Sequence, residues 1–418
     1  MRRSPLIILF TTVLIDLLGF GIILPLLPLY VEQFGGTPVV AGWLATSFSA
    51  MQFLFAPLWG RLSDVHGRRP FILLSLIGSA LAFLLFGLAR ALWVLFAARI
   101  AAGVLTAASL PTAQAYIADV TPPERRARGM AMIGVAFGIG FSAGPALGGW
   151  LGRLYGLAVP AYVVAGLAAL NFVWSYFALP ESLARAREPA PARRLTLIEP
   201  RRFASAFRTP LLGELLAVFA VSTFAFAMME ATFTWLILLR FVEPALGPGV
   251  THAMVEKQAA ATAGSVFVIV GVTAVLAQGA VMGGLAQVVS ERWLMWMGAA
   301  LLTGSLVGIG AAGSLAALKV LAAGLAVGSS MLNPVLSSLV SKAARHGERG
   351  GVLGVQQGLG SLARMVAPPL GTWVLQRFGT DSAYYAAGGL MGVAFLASLF
   401  VKEPARWDEP PSPPIAHI

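Results

Sequence analysis

The sequence predicts an all-α membrane protein: a bundle of twelve transmembrane helices in two six-helix pseudo-repeats, with both termini in the cytoplasm. Three observations predict it. Of 418 residues, 58% are hydrophobic and only 11% charged, and the mean hydropathy is +0.81. A soluble domain carries about 25% charged residues. The apolar residues fall into twelve long runs, each near the length that spans a bilayer. The second half of the chain repeats the first.

The segments run over 5–30, 38–60, 70–89, 91–119, 128–152, 155–179, 211–242, 258–284, 293–312, 314–341, 350–376 and 381–401. Segment 1 is interrupted by Asp16 and followed by no small-residue cleavage site, so it reads as a retained helix and not as a leader. Segments 2 and 3 flank a short basic loop. Segment 4 contains Arg99, and segment 5 is rich in glycine. Segment 6 ends before Pro180, where prolines and seven arginines mark a linker. Segment 7 contains Glu230 and segment 11 contains Arg364. The runs are continuously apolar and rich in Leu, Ala and Gly, which suits helices packed in lipid. A membrane barrel would alternate at period two.

Charge orients the bundle. Twenty-one of the 29 lysines and arginines fall at the N-terminus, in the even-numbered loops, in the linker and in the tail. Basic residues collect on the cytoplasmic side, which places both termini inside. The +11 net charge is thus a topology signal and not a nucleic-acid footprint, since no basic soluble face accompanies it. The domains expected are a six-helix bundle over 1–180, a cytoplasmic linker over 181–210, a second bundle over 211–402 and a disordered tail over 403–418.

The repeat aligns 103–129 with 324–350, 144–149 with 367–372 and 60–69 with 283–292, at offsets of 221 to 223 residues. Parallel six-helix repeats describe a transporter of two rocking halves with the substrate site between them.

The strongest local motif is Gly60-Arg61-Leu62-Ser63-Asp64-Val65-His66-Gly67-Arg68-Arg69-Pro70. Its glycines permit a tight turn. Asp64 can accept from backbone N–H groups at the N-terminus of segment 11, and Arg68 can reach Asp119 at the end of segment 4. These contacts would shut the cytoplasmic side. The second copy has Gln287 at the aspartate's position. The loop resembles the signature of the major facilitator superfamily. The run from Asp16 to Pro28, Arg99 with Gly103, and Gly140-x3-Gly144-Pro145-x2-Gly148-Gly149 are similar to motifs of its twelve-span drug:proton antiporter branch. The tetracycline exporters of that branch are the nearest in pattern. This chain has Ala82 where they carry an aspartate, and no histidine in segment 8. The resemblance implies the fold and proton-driven export, with segment 5 meeting segment 8 between the halves.

Four charges lie where charge is costly, at least ~2.5 kcal/mol on insertion scales: Asp16, Arg99, Glu230 and Arg364. Asp16 is about 11 residues into segment 1, roughly 16 Å deep. Arg99 is about nine residues into segment 4. Burial penalises a carboxylate's charge and a neighbouring arginine favours it, so a carboxylate between these influences can gain and lose a proton. The expectation is that Asp16 carries the proton, with Arg99 beside it, and that Glu230 titrates or recognises cations near Arg364. The competing reading makes both pairs static ion pairs.

Polar and aromatic residues on apolar segments sketch the cavity: Gln52, Gln114, Asn171, Phe226, Met229, Phe233, Asn333, Gln356 and Gln357. Deformable walls of this kind suit amphiphilic ligands. The alternative for each is packing against lipid.

No lysine follows a glycine, which excludes a phosphate loop. There is no cysteine, and the four histidines are scattered, so no metal site or cofactor is expected. No catalytic constellation sits at one depth, so an enzyme is not expected. The reading is a monomeric, multi-pass transporter of a bacterial inner membrane, exporting a small amphiphilic compound against protons. An uptake carrier and a non-transporting receptor of the same fold are the alternatives.

Overall fold

Proline and glycine set the ends and breaks of the helices. The computed structural model describes residues 5–121, 126–182, 207–246, 251–285, 288–344 and 349–401. Most of the expected linker, the expected tail and Gln287 lie outside them. No strand occurs among the described residues.

Segment 1 comprises helices Pro5–Ile23 and Leu27–Gln33. The bend between them carries Pro25, and Pro28 lies in the first turn of the second helix, where its missing N–H is tolerated. Segment 2 is one helix, Pro38–His66, opened by a proline and ended by Gly67 at φ +99°. Segment 3 is Arg69–Gly87. Segment 4, expected to be continuous, is broken into Leu92–Thr106 and Ser109–Val120. The cause is in the sequence: Pro111 has no N–H for the carbonyl of Ala107, so the ladder cannot run through. Segments 5 and 6 are Arg126–Tyr155 and Ala158–Ala178, joined at Gly156, φ +96°.

Segment 7 is Pro210–Ile237, continued by a π turn, Leu238–Val242, and the short helix Glu243–Leu246. Segment 8 is His252–Ala280 with a terminal π turn, Val281–Leu285. Segments 9 and 10 are Glu291–Ala311 and Leu315–Ala343. Each has a serine cap: Ser290 accepts from the Trp293 N–H and Ser314 from the Ala317 N–H. Segments 11 and 12 are Arg349–Phe378 and Thr380–Phe400.

Ten of these segments are long and apolar enough to cross a membrane. Segments 5 and 11 are not among the ten. Segment 5 packs on segments 1 and 8, and segment 11 on segments 2 and 7. Large apolar side chains face outward, among them Trp93, Leu170, Phe177 and Phe400, as a lipid-solvated surface requires.

Most helix pairs pack within segments 1–6 or within segments 7–12. The two sets meet chiefly through segment 5 on segment 8 and segment 2 on segment 11. Both seams are marked at the end opposite the arginine loop. There Gly42 faces Pro368, Pro369 and Thr372. The Thr46 hydroxyl donates to the Met365 carbonyl at 2.6 Å, and Gly149 lies against Gly264 and Ala260. Toward the loop end, Gly354 on segment 11 has open space around its Cα and Asp64 is 60% exposed. The molecule is closed at the far end.

Candidate functional site

Depth decides which charges can meet. Counted from the end bearing the arginine loop, Arg99 lies about 21 residues up segment 4, Glu230 about 20 up segment 7 and Arg364 about 15 up segment 11. All three line one narrow cavity between the two helix sets, with Phe20, Leu24, Ala45, Ser49, Ala227, Ala231 and Pro368. The Glu230 and Arg364 charges act on each other, without a contact as close as an ion pair. Arg99 is 3% exposed and its Nε has no hydrogen-bond partner. Its guanidinium sits 4.3 Å over the Phe48 ring, a cation–π contact that offsets part of its burial.

Asp16 lies about 11 residues up segment 1, so some 15 Å of helix rise separates it from Arg99. The two residues that the sequence set side by side are therefore apart. Segments 1 and 4 run in opposite directions, and similar counts from opposite ends are different depths. Both Asp16 carboxyl oxygens are buried without a hydrogen-bond partner. Its polar neighbours are the hydroxyls of Ser109 and Ser79.

The arginine loop is closed by its own ion pairs. Arg68 is buried; its Nε donates to Asp119 Oδ2 at 3.2 Å and its Nη1 to Ser63 Oγ at 2.8 Å. The Arg68–Asp119 contact matches the one read from the motif. Asp64 pairs with Arg68, one turn on, and not with segment 11. The Asp64 side chain is 60% exposed and so is not buried against a helix N-terminus. Gly60 packs against Pro111, and Gly67 supplies the positive φ of the turn. Arg69 donates to the Tyr176 carbonyl and faces that ring. One participant had no signal in the sequence: Glu181 accepts the Arg68 N–H at 2.8 Å and the Arg69 N–H at 3.2 Å. It follows Pro180 at the start of the linker, where spacing carries no information about a loop over a hundred residues away.

The glycines of segment 5 divide between two partners. Gly140, Gly144 and Gly148 pack on Leu17, Gly21 and Ile22 of segment 1, with Pro145 also against Gly21. Among these glycines, Gly149 has its nearest neighbours, Gly264 and Ala260, on segment 8. The expected seam between the halves is real, but most of the motif seals the first bundle internally.

The expected cavity residues separate similarly. Asn171 is buried and holds segment 1: its Nδ2 donates to Thr12 Oγ1 at 3.1 Å, and Thr11 donates to its Oδ1 at 3.3 Å. Gln356 donates to Ser337 on segment 10 at 3.0 Å. Met229 and Phe233 are buried in the core, Phe226 packs at its edge, and Phe233 meets the Phe267 ring edge-on. None of these five lines the central cavity. On segment 7, Ala227, Glu230 and Ala231 line the cavity, while Phe226, Met229 and Phe233 pack into or against the hydrophobic core. Gln52 is half-buried; Gln114, Asn333 and Gln357 are exposed. Because Asn171 tethers segments 1 and 6, Asn171→Ala is expected to lower stability by about 0.6–1.7 kcal/mol, as intramembrane hydrogen bonds do. A thermal melt of the purified protein would measure it.

This arrangement is two helix sets, a charged cavity shared between them and a basic loop held by ion pairs. The family description "Major Facilitator Superfamily" matches residues 9–254 and 239–417. The chain belongs to the major facilitator superfamily. It is a transporter of that superfamily. It is 34% identical over 298 residues to the tetracycline resistance protein, class E, of Escherichia coli, covering 68% of this chain and 72% of the relative. It is 29% identical to human major facilitator superfamily domain-containing protein 10 over 97% of this chain and 94% of that protein. Among solved structures, the human organic anion transporter MFSD10 aligns at TM-score 0.69 and 27% identity, over 95% of this chain and 99% of that one. A bacterial homolog of the human lysosomal transporter Spinster shares the fold at TM-score 0.73 and 15% identity, over 97% and 98%.

Proposed function

We propose that this superfamily member is a proton-coupled exporter of small amphiphilic compounds, working by alternating access in a bacterial inner membrane. In this reading twelve segments span the bilayer, segments 1–6 and 7–12 form the two rocking bundles, and both termini and the arginine loop are cytoplasmic. The far end, where segments 2 and 11 and segments 5 and 8 meet, then faces outward, and the state described is open to the cytoplasm. A monomer suffices, since the cavity is complete within one chain.

The observation that carries the reading is the cavity that Arg99 of one half shares with Glu230 and Arg364 of the other. A ligand held there touches both halves, so its binding energy can favour the movement of one against the other. Two arginines against one glutamate leave the cavity net positive, and Phe20, Leu24 and Pro368 supply apolar surface. A small molecule with an apolar body and an anionic group matches the chemistry of that lining, and the cavity, about 20 Å³ in this state, widens to admit it as the halves move. This is consistent with relatives named both for tetracycline resistance and for organic anion transport. Asp16 carries the proton: it is a buried acid with no partner in the state described, and it is far enough from the cavity that proton and substrate need not displace one another directly.

Everted membrane vesicles with a pre-formed pH gradient test the direction and the coupling. Adding an amphiphilic anion is expected to dissipate the gradient in vesicles containing the protein. No change in the gradient with any amphiphile transported by the protein would overturn proton coupling. A gradient change of opposite sense would make it an uptake carrier.

A further inference from the structure

Five buried oxygens without hydrogen-bond partners lie on three neighbouring helices of segments 1–6. Two belong to Asp16, and the others are Ser79 Oγ, Ser109 Oγ and Thr112 Oγ1. Ser79 and Thr112 are fully buried and Ser109 is 4% exposed. The Ser79 and Ser109 hydroxyls lie within electrostatic reach of the Asp16 carboxyl, but neither meets it with the geometry of a hydrogen bond. All three positions lie at one depth, about 10–11 residues from the loop end of segments 1, 3 and 4. Thr112 follows Ser109 by three residues, on the same face of its helix. Buried polar atoms are ordinarily paired, so a group of orphans around one carboxylate calls for a ligand.

The backbone adds to the cluster. Segment 4 breaks at Ala107–Ala108, immediately before Ser109. Pro111 leaves the Ala107 carbonyl without its helical donor. Broken helices that free carbonyl oxygens at mid-membrane are a recurrent way of holding small cations.

We propose that Asp16, Ser79, Ser109 and Thr112 form a binding site for one sodium ion. The donors are all oxygen, which selects a hard cation. They bring a single negative charge, which one monovalent cation balances. The site is buried and lies about 15 Å from the Arg99 cavity along the axis, so a cation there does not compete with the substrate for space. The other charges of this bundle are engaged elsewhere: Arg99 lies over Phe48, and Arg68 pairs with Asp64 and Asp119. The inference deepens the proposed function, since it rests on Asp16 being the coupling acid and names a second ligand that the same carboxylate can hold.

Equilibrium binding of radiolabelled sodium to the purified full chain, with choline holding the ionic strength, tests it. The expected result is one saturable site, displaced by lithium and not by choline. Asp16→Asn should abolish it. Ser79→Ala combined with Ser109→Ala, which removes two hydroxyls and leaves the carboxylate, should weaken it by ~10-fold or more, as loss of site oxygens does elsewhere. Glu214→Gln, at an exposed acid near the start of segment 7 and outside the cavity, should leave it unchanged and serves as the control for folding. No saturable binding in the wild type, or binding that survives both Asp16→Asn and the double serine variant, would overturn the proposal. The coupling reading fails separately. If sodium does not bind but Asp16→Asn still stops proton-driven efflux, only the sodium site is lost. If sodium binds but Asp16→Asn exports normally, the proton role is lost and the site stands.

Discussion

Asp16→Asn is expected to bring proton-driven efflux down to the background of the host while the protein is still made and inserted at wild-type level. The substitution keeps the size of the side chain and removes a buried carboxyl group whose two oxygens have no hydrogen-bond partner. An amide cannot take up and release a proton, so a transporter that couples through this position loses its driving step. Substrate binding should persist, because Asp16 does not line the cavity that holds Arg99, Glu230 and Arg364. Accumulation of a fluorescent amphiphile in cells reads the first effect, and equilibrium binding to purified protein reads the second. Undiminished efflux at normal expression would remove Asp16 from the mechanism. Loss of substrate binding along with transport would mean that the side chain supports the cavity's structure.

Two alanine substitutions only five residues apart should do different things. At Gly144, an added Cβ would stand 2.9 Å from both the Gly21 Cα and the Leu18 carbonyl oxygen. Both obstacles are backbone, so segments 1 and 5 must move apart, and overpacking of this kind costs about 1–3 kcal/mol. Gly144→Ala should lower the melting temperature of the purified protein. At Gly149, the added Cβ would meet Gly264 and the Ala260 carbonyl, across the seam between the two helix sets. That clash exists only while the far end is closed. Gly149→Ala should leave the bundles themselves stable and shift the population toward a far-end-open state, by roughly 5- to 150-fold for a bias of 1–3 kcal/mol. The chain has no cysteine, so Ala45→Cys, on the wall of the central cavity, makes a clean probe. Its labelling by an impermeant thiol reagent from the far side should rise in the Gly149→Ala background. Unchanged labelling would show that the seam does not open during the cycle.

Much of this was legible beforehand. Long apolar runs placed the twelve helical segments to within a few residues at most ends. The motif around Gly60 led to the Arg68–Asp119 contact. The four charges in apolar segments marked Arg99, Glu230 and Arg364, which share the cavity, and Asp16, which does not. The break in segment 4 was also written in the chain, in Pro111, although a hydropathy run passes over it. What was misread has a common cause. Asp16 and Arg99 were given similar depths on antiparallel helices, and Asn171, Gln356 and Phe233 were taken as lining because they are polar or aromatic, when the face of the helix decides.

The amino-acid sequence by itself determined the helices, the two-fold repetition and the uneven distribution of basic residues, because these follow from local composition and from the bilayer's demand that every backbone group be satisfied. Only the tertiary structure decided which charges share a cavity and which glycines join the halves. It also decided which hydroxyls surround Asp16. Those relations depend on the rotation and axial offset of one helix against another, and such offsets are set by packing between residues far apart in the chain.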